Sequence, residues 1–400
     1  MQRRHLLQGL AAGAGIAAFG RAARAATPGV TESEIRIGCT QPLSGPASAY
    51  GIISRTEAAY FGMVNEQGGF DGRRINFIVY DDGYSPPRTV EMVRKLVEDD
   101  KVAFLFQTLG TANNTAIRQY CNDNKVPQLS VATGAEKFSD YQHFPWTTPG
   151  NASYRSEAQI YAKYIARERP QGKVAVLYQN DDLGKDYVSG LKSGFGDAFD
   201  RFVIKTATYE VTDPTIDSQI ATLQASGADV MVTIATPKFG AMAIRKIAEV
   251  GWKPLHIIGN VASSVGAVIK PAGMENAVGL VTAIYGKDPT DRRWANDAGM
   301  NLWRAFMAKY MPGTDLSDLN TVYGYGQAFT MTHVLRQCGT DFSRENILRQ
   351  ATNIRNLESP TLLPDIRINM SPTDYHPVRQ FQLERFSGRG WELFGEVIET

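Results

Sequence analysis

Three stretches of this 400-residue chain place hydroxyls, glycines and backbone amides directly after short apolar runs. The first is Ile35–Gly51, IRIGCTQPLSGPASAYG, where Ile35, Ile37 and Cys39 alternate with polar neighbours before Ser44, Gly45 and Tyr50. The second follows Ala103–Gln107 and reads Leu109-Gly110-Thr111-Ala112-Asn113-Asn114; the third follows Gln128–Val131 and reads Ala132-Thr133-Gly134-Ala135. At the carboxyl ends of strands such residues offer an anion N–H donors, hydroxyls and the positive end of a helix dipole. A carboxylate bound there gains charge-assisted hydrogen bonds without an arginine. Thr111 also reads as a plain N-cap for a helix beginning at Ala112, a role that does not forbid ligand contact. Tyr50 reads either as the lip of a pocket or as ordinary surface packing.

Catalytic and metal-binding patterns are missing. His5, His143, His256, His333 and His376 are scattered, with no two at ligand spacing, and no HExxH or CxxC occurs. There is no GxSxG elbow and no GxxxxGK(S/T) phosphate loop. Gly194-Phe195-Gly196 lacks the third glycine of a dinucleotide loop and lies inside a helical pattern. The pairs Asp81-Asp82, Asp99-Asp100 and Asp181-Asp182 stand at strand or helix ends, where adjacent carboxylates read as solvated caps. These residues predict a binding protein without metal or cofactor rather than an enzyme.

Those loops need a scaffold, and length and pattern supply one. Strand Ile35–Cys39, helix Ile53–Glu66, strand Ile75–Tyr80, helix Pro87–Asp99, strand Ala103–Gln107, helix Ala112–Asn124 and strand Gln128–Val131 form one series. A second runs from a helix starting at Ser153 through strand Val174–Tyr178, helix Lys185–Phe199, strand Val203–Tyr209, helix Ile216–Ala225, strand Val230–Ile234, helix Phe239–Val250 and strand His256–Ile258. Helical patterns return at Arg292–Met311, Asn320–Gln337 and Arg344–Gln350, and strand-like pieces at Ile366–Ile368, Val378–Phe386 and Trp391–Val397 end the chain. Strands alternating with helices of this length predict an α/β fold of parallel βαβ units, here in two lobes.

Lys and Arg number 42 against 41 Asp and Glu, a balance that argues against nucleic acid as partner. Residues 1–25 read as a targeting segment: Arg3-Arg4, apolar Leu10–Phe19, then Ala23-Arg24-Ala25 as a small-residue cleavage site. Arg3-Arg4 before His5-Leu6-Leu7 resembles a twin-arginine leader, although ordinary secretory signals also carry two arginines. The apolar part is shorter than the roughly 20 residues a membrane span needs, and no longer run follows. A periplasmic mature chain with no membrane insertion is expected. Cys39, Cys121 and Cys338 lie in apolar or helical patterns and read as buried and inert.

The segments SGPASAYG, NEQGGFDGRRINFIVYDD, VPQLSVATG, NDDLGKDY and IAEVGWKPLHIIGN resemble the Leu/Ile/Val-type periplasmic substrate-binding proteins of ABC transporters, of the type I periplasmic binding protein family. The resemblance implies two Rossmann-like lobes, 26–148 plus 285–357 and 149–284 plus 358–400, that close on a ligand in the cleft between them. It places hinge crossings near Thr147–Gly150, Ala283–Lys287 and Asn356–Pro360. It further implies a small carboxylate ligand, a monomer, and a membrane permease with its ATPases as partners. A ligand-sensing regulatory module on the same fold and an exported α/β enzyme are the other readings.

By the same resemblance the first lobe grips an α-carboxylate through the Thr111 hydroxyl and the Ala132, Thr133 and Gly134 backbone. Tyr50 is the lip aromatic, and Ser44 and Gly110 complete that side. The second lobe departs from the family pattern. Leu183 stands where the family has a tyrosine, Thr236 where it has a second aromatic, and Val261 where it has the acid that pairs with an α-ammonium. An ammonium buried without a carboxylate is an uncompensated charge. A cost of roughly 3 kcal/mol would weaken a binder more than a hundredfold. The expected ligand is therefore a carboxylic acid with an apolar or aromatic body and no amine. Tyr154, Tyr285 and Phe106 are candidates for flat contacts, or else core. Glu157 is the acid that would restore amino-acid binding if it reached the cleft.

Overall fold

The computed structural model describes residues 27–400, so the leader reading on 1–25 lies outside the described residues. The first sheet contains β1 (Glu34–Gln41), β2 (Arg74–Asp81), β3 (Phe104–Phe106), β4 (Gln128–Val131) and β5 (Thr147–Pro149). Their order is β2-β1-β3-β4-β5 and every pairing is parallel. Ile35, Ile37 and Cys39 of β1 are buried, with Ile37 in register with Phe77 and Phe104.

The second body is built on β6 (Val174–Gln179), β7 (Val203–Tyr209), β8 (Val230–Ile234), β9 (Leu255–Ile258) and β10 (Val281–Ile284). A ribbon of β11 (Ile354–Leu357) and β12 (Ile368–Met370) stands apart. The antiparallel pair β13 (Gln380–Phe386) and β14 (Trp391–Glu399) then extends the second sheet to the order β14-β13-β10-β9-β8-β6-β7. Its central strands are covered on both faces: every residue of β8 and β10 is buried, including Thr233 and Thr282.

The chain changes body more than once. After β10 it returns to the first, where helix Leu319–Gln337 lies against helix Gly51–Glu66 and Tyr325 meets the Tyr60 ring edge-on at 5.0 Å. After β12 it rejoins the second sheet as β13. Where segments pass between the bodies, Tyr285–Lys287 runs beside Thr361–Leu363, with Lys287 N–H donating to Thr361 O at 2.8 Å and Leu363 N–H to Tyr285 O at 3.0 Å.

The expected α/β architecture of parallel sheets is present, with local corrections. Strands β5, β10 and β11 were not foreseen: each has three or four residues, too few to show a period. Thr111 is not an N-cap but the first residue of helix Thr111–Asp123, and Gly110 occupies the cap position. Helix Lys185–Phe199 starts earlier, at Asp182, because Asp181 caps it, and stops at Phe195 before Gly196. The helix expected from Arg292 begins at Ala298, where Asp297 accepts the Met300 N–H. Asp82 is not a solvated cap: it is fully buried and bonded to Thr89, Asn113 and the Tyr84 N–H. The three cysteines are free and buried. Among the described residues no helix is long and apolar enough to cross a membrane, and no group of His, Cys, Asp or Glu could hold a metal.

Candidate functional site

The carboxyl end of β3 sets the site. Gln107 takes φ +54°, Leu109 bridges to Ala132 after β4, and Gly110 turns with φ +104°. A Cβ on Gly110 would come within 2.7 Å of Asn113 Oδ1 and 2.9 Å of the Tyr84 ring, so only glycine fits. This turn aims the start of helix Thr111–Asp123 at a cavity. Its first intrahelical bond is Asn114 N–H to Gly110 O at 2.9 Å, which leaves the preceding N–H groups without helical acceptors. The Thr111 hydroxyl is 2.8 Å from that of Thr133, and Thr133 Oγ1 also accepts from Ala135 N–H at 3.2 Å.

Across the cavity, the corresponding helix end is closed. Asp181 accepts from the Leu183 and Gly184 N–H groups at 3.0 and 3.3 Å, and from Gln179 Nε2 at 2.6 Å. One wall thus presents open amides, and the other presents the Leu183 side chain. Five tyrosines line the space, namely Tyr50, Tyr84, Tyr154, Tyr285 and Tyr323. Burial raises the pKa of each, so all five stay neutral phenols at ordinary pH. Tyr154 stacks on Tyr187 with centroids 4.9 Å apart, and Tyr285 meets Phe381 edge-on at 5.7 Å.

No Asp, Glu, Lys, Arg or His side chain is part of the cavity wall. The cavity volume is about 130 Å³, close to the roughly 150 Å³ apolar cavity that admits benzene. Glu157 does not line it. Its carboxylate is 2% exposed and accepts from Tyr161 Oη at 2.5 Å, Asn260 N–H at 2.8 Å and Tyr187 Oη at 2.9 Å. Burial pushes Glu157 up to about 7, while those donors pull it back. It is a structural knot rather than a counter-ion.

The twelve residues singled out from sequence divide clearly. Tyr50, Gly110, Thr111, Ala132, Tyr154, Leu183, Val261 and Tyr285 line the cavity. Thr133 and Gly134 stand behind it, where the Tyr154 phenol reaches both. Ser44 is elsewhere: exposed, it donates to Asp81 Oδ2 at 2.6 Å. Thr236 is buried under β8, its N–H on the Tyr209 phenol at 3.0 Å. Phe106 is core, tilted against Phe61 at 5.8 Å. Tyr84, Tyr323, Asn151 and Asn260 line the cavity and were missed. Tyr84 had a signal, since it follows β2 as Thr111 follows β3. Tyr323 had none, because it lies in the second turn of a helix far along the chain.

Bonds between the two bodies ring the cavity. The Tyr50 phenol donates to Val261 O at 2.8 Å, and the Tyr323 phenol to Asn151 Oδ1 at 2.6 Å. Farther out, Lys137 pairs with Asp182 at 2.7 Å, Lys270 with Asp315 at 2.8 Å, and the Ser264 hydroxyl donates to Asp318 at 2.8 Å. Two α/β bodies that meet across strand ends and helix N-termini, with a cavity of apolar and neutral polar side chains between them, define a two-lobed binding protein.

The comparisons agree. The family model described as periplasmic binding protein matches residues 34–390, and the chain belongs to that family. A Leu/Ile/Val-binding protein homolog 1 of Brucella abortus is 24% identical over 352 residues, 86% of each chain. Among solved structures, a branched-chain amino acid ABC transporter protein from Thermus thermophilus with bound valine superimposes with TM-score 0.82 at 16% identity, covering 93% of this chain and 98% of that one. A solute-binding protein from R. palustris in complex with benzoate gives 0.77 at 19%, covering 92% and 98%. A fatty acid ABC transporter substrate-binding protein from Thermomonospora curvata gives 0.75 at 20%, covering 93% and 94%. At these identities the structures establish the fold, and the resemblance to Leu/Ile/Val-type binding proteins holds.

Proposed function

We propose that the chain is the periplasmic solute receptor of an ABC importer, and that its ligand is a carboxylic acid with an apolar or aromatic body and no amine. The observation that carries this reading is a cavity wall that takes in the uncapped start of helix Thr111–Asp123 and no Asp, Glu, Lys, Arg or His side chain. A carboxylate finds donors there; an ammonium finds no counter-ion, at a cost of several kcal/mol. The three structural neighbours are associated with valine, benzoate and fatty acid, and the carboxylate is the group these have in common. The Thr111 hydroxyl and the uncapped amides at the start of its helix hold the carboxylate in this reading, while Tyr154, Leu183, Val261 and Tyr285 surround the body. The lobes close about the crossings near Thr147–Gly150, Ala283–Lys287 and Asn356–Pro360, and the closed form is presented to the permease.

A thermal-shift panel of leucine, 4-methylpentanoate, benzoate and octanoate tests the ligand class. At a hundred times its dissociation constant a ligand stabilises by about 2.7 kcal/mol. The acids without an amine should raise the melting temperature more than leucine does. A larger shift for leucine than for every other acid would sink the proposal. The ligand should also be recovered chemically unchanged after denaturation, which an enzyme acting on it would not allow.

A further inference from the structure

The cavity does not end at the strand tips. Past Tyr323 it continues along one face of helix Leu319–Gln337, where Gly326, Thr330, Met331 and Val334 follow at helical spacing. From Tyr323 to Val334 that face extends about 16 Å at 1.5 Å per residue. Ser359–Leu362 forms the opposite wall, and buried Ala351, Ile354 and Met370 close the far end. No charged side chain lines this arm. Its polar groups are satisfied among themselves: Thr330 Oγ1 donates to Gly326 O at 2.9 Å, Gln327 Nε2 to Gly150 O at 2.9 Å, and the Ser359 and Thr361 hydroxyls lie 3.3 Å apart.

Two features give the arm its selectivity. A total volume near 130 Å³ drawn out over such a length is a narrow bore, which suits an unbranched chain and not a fused ring system. At Gly326 the helix comes so close to Thr361 that an added Cβ would sit 2.5 Å from Thr361 Oγ1. We propose that this arm is a second subsite that takes the unbranched aliphatic tail of a monocarboxylic acid. It rests on the carboxylate reading above, with the headgroup at the uncapped start of helix Thr111–Asp123 and the tail running between the crossing segments.

Calorimetric titration of the protein with straight-chain acids from butanoate to decanoate tests it. Affinity should rise about fourfold per added methylene as apolar surface leaves water. Ala351→Phe, at the closed end, should lower the decanoate-to-butanoate affinity ratio tenfold or more. Should that variant not fold, Met370→Ala lengthens the bore and should raise the ratio of dodecanoate to decanoate affinity instead. If butanoate binds but affinity falls with chain length, or if the ratios do not respond in the folded variants, the arm is no subsite and the carboxylate reading survives. If no acid of any length binds, both are wrong.

Discussion

In the ligand class proposed above, single residues decide whether the cleft accepts an amine. Val261 lines the cavity and its carbonyl accepts the Tyr50 phenol, yet its side chain brings no charge to the wall. Val261→Asp would supply a carboxylate within that wall. Leucine should then gain at least tenfold over 4-methylpentanoate relative to the parent protein, as measured by calorimetry; an unchanged preference would mean that position 261 does not face the amine. Glu157 makes a different prediction. Its carboxyl is raised to about 7, mainly by burial, from an ordinary value of 4.5. The folded state therefore holds its proton more tightly than the unfolded chain. That contribution to stability is complete below about pH 4.5 and lost as pH rises through about 7. Wild type should gain roughly 1–3 kcal/mol over Glu157→Gln between pH 7.5 and 4.5, at about 1.4 kcal/mol per unit of pKa difference. Urea melts at both pH values would show it, and parallel profiles would rule it out.

Among the elements, the two helix ends facing the cavity differ because of one residue each. Gly110 cannot cap with a side chain, so its helix start stays open; Asp181 caps its own helix and takes the amides. That contrast was half legible in the sequence. Gly110-Thr111 and Asp181-Asp182 both announce helix starts, but only the folded chain shows which amides are occupied. The parallel strands were legible where alternation or an apolar run of five or more persisted, as in β1 and β8. Strands β5 and β10 were invisible, as was β11, which pairs antiparallel with β12. The hinge-side arm was equally hidden, since Met331, Ala351 and Met370 read as ordinary core until three elements bring them together. Element contacts also predict a clasp. Tyr50→Phe removes the bond that links the short turn before helix Gly51–Glu66 to the loop after β9. A net hydrogen bond contributes about 0.5–1.5 kcal/mol. Ligand affinity should therefore weaken about two- to twelvefold, and calorimetry giving an undiminished affinity would assign the clasp no part in closure.

At the scale of the whole molecule, two kinds of contact are candidates to drive the closure proposed above, and their responses to salt differ. Lys137–Asp182 and Lys270–Asp315 join the lobes at the rim, with side chains between 31% and 49% exposed. Pairs of that kind contribute about 0–1 kcal/mol each and weaken as salt shortens the screening length. The cavity itself is walled by apolar and neutral polar groups, so ligand entry removes apolar surface from water, a change marked by a negative heat capacity of binding. If burial drives closure, the dissociation constant of octanoate should change less than about tenfold between 0.05 and 0.5 M NaCl, the loss of about two weak pairs at most. The heat capacity change, from titrations between 10 and 35 °C, should be negative at both salt concentrations. A steeper loss of affinity with salt, or a heat capacity change near zero, would instead make the rim ion pairs the force that holds the lobes together. Small-angle scattering supplies the matching structural readout, since a fall in radius of gyration on adding octanoate should persist in 0.5 M NaCl if the apolar cavity, and not the rim, draws the lobes shut.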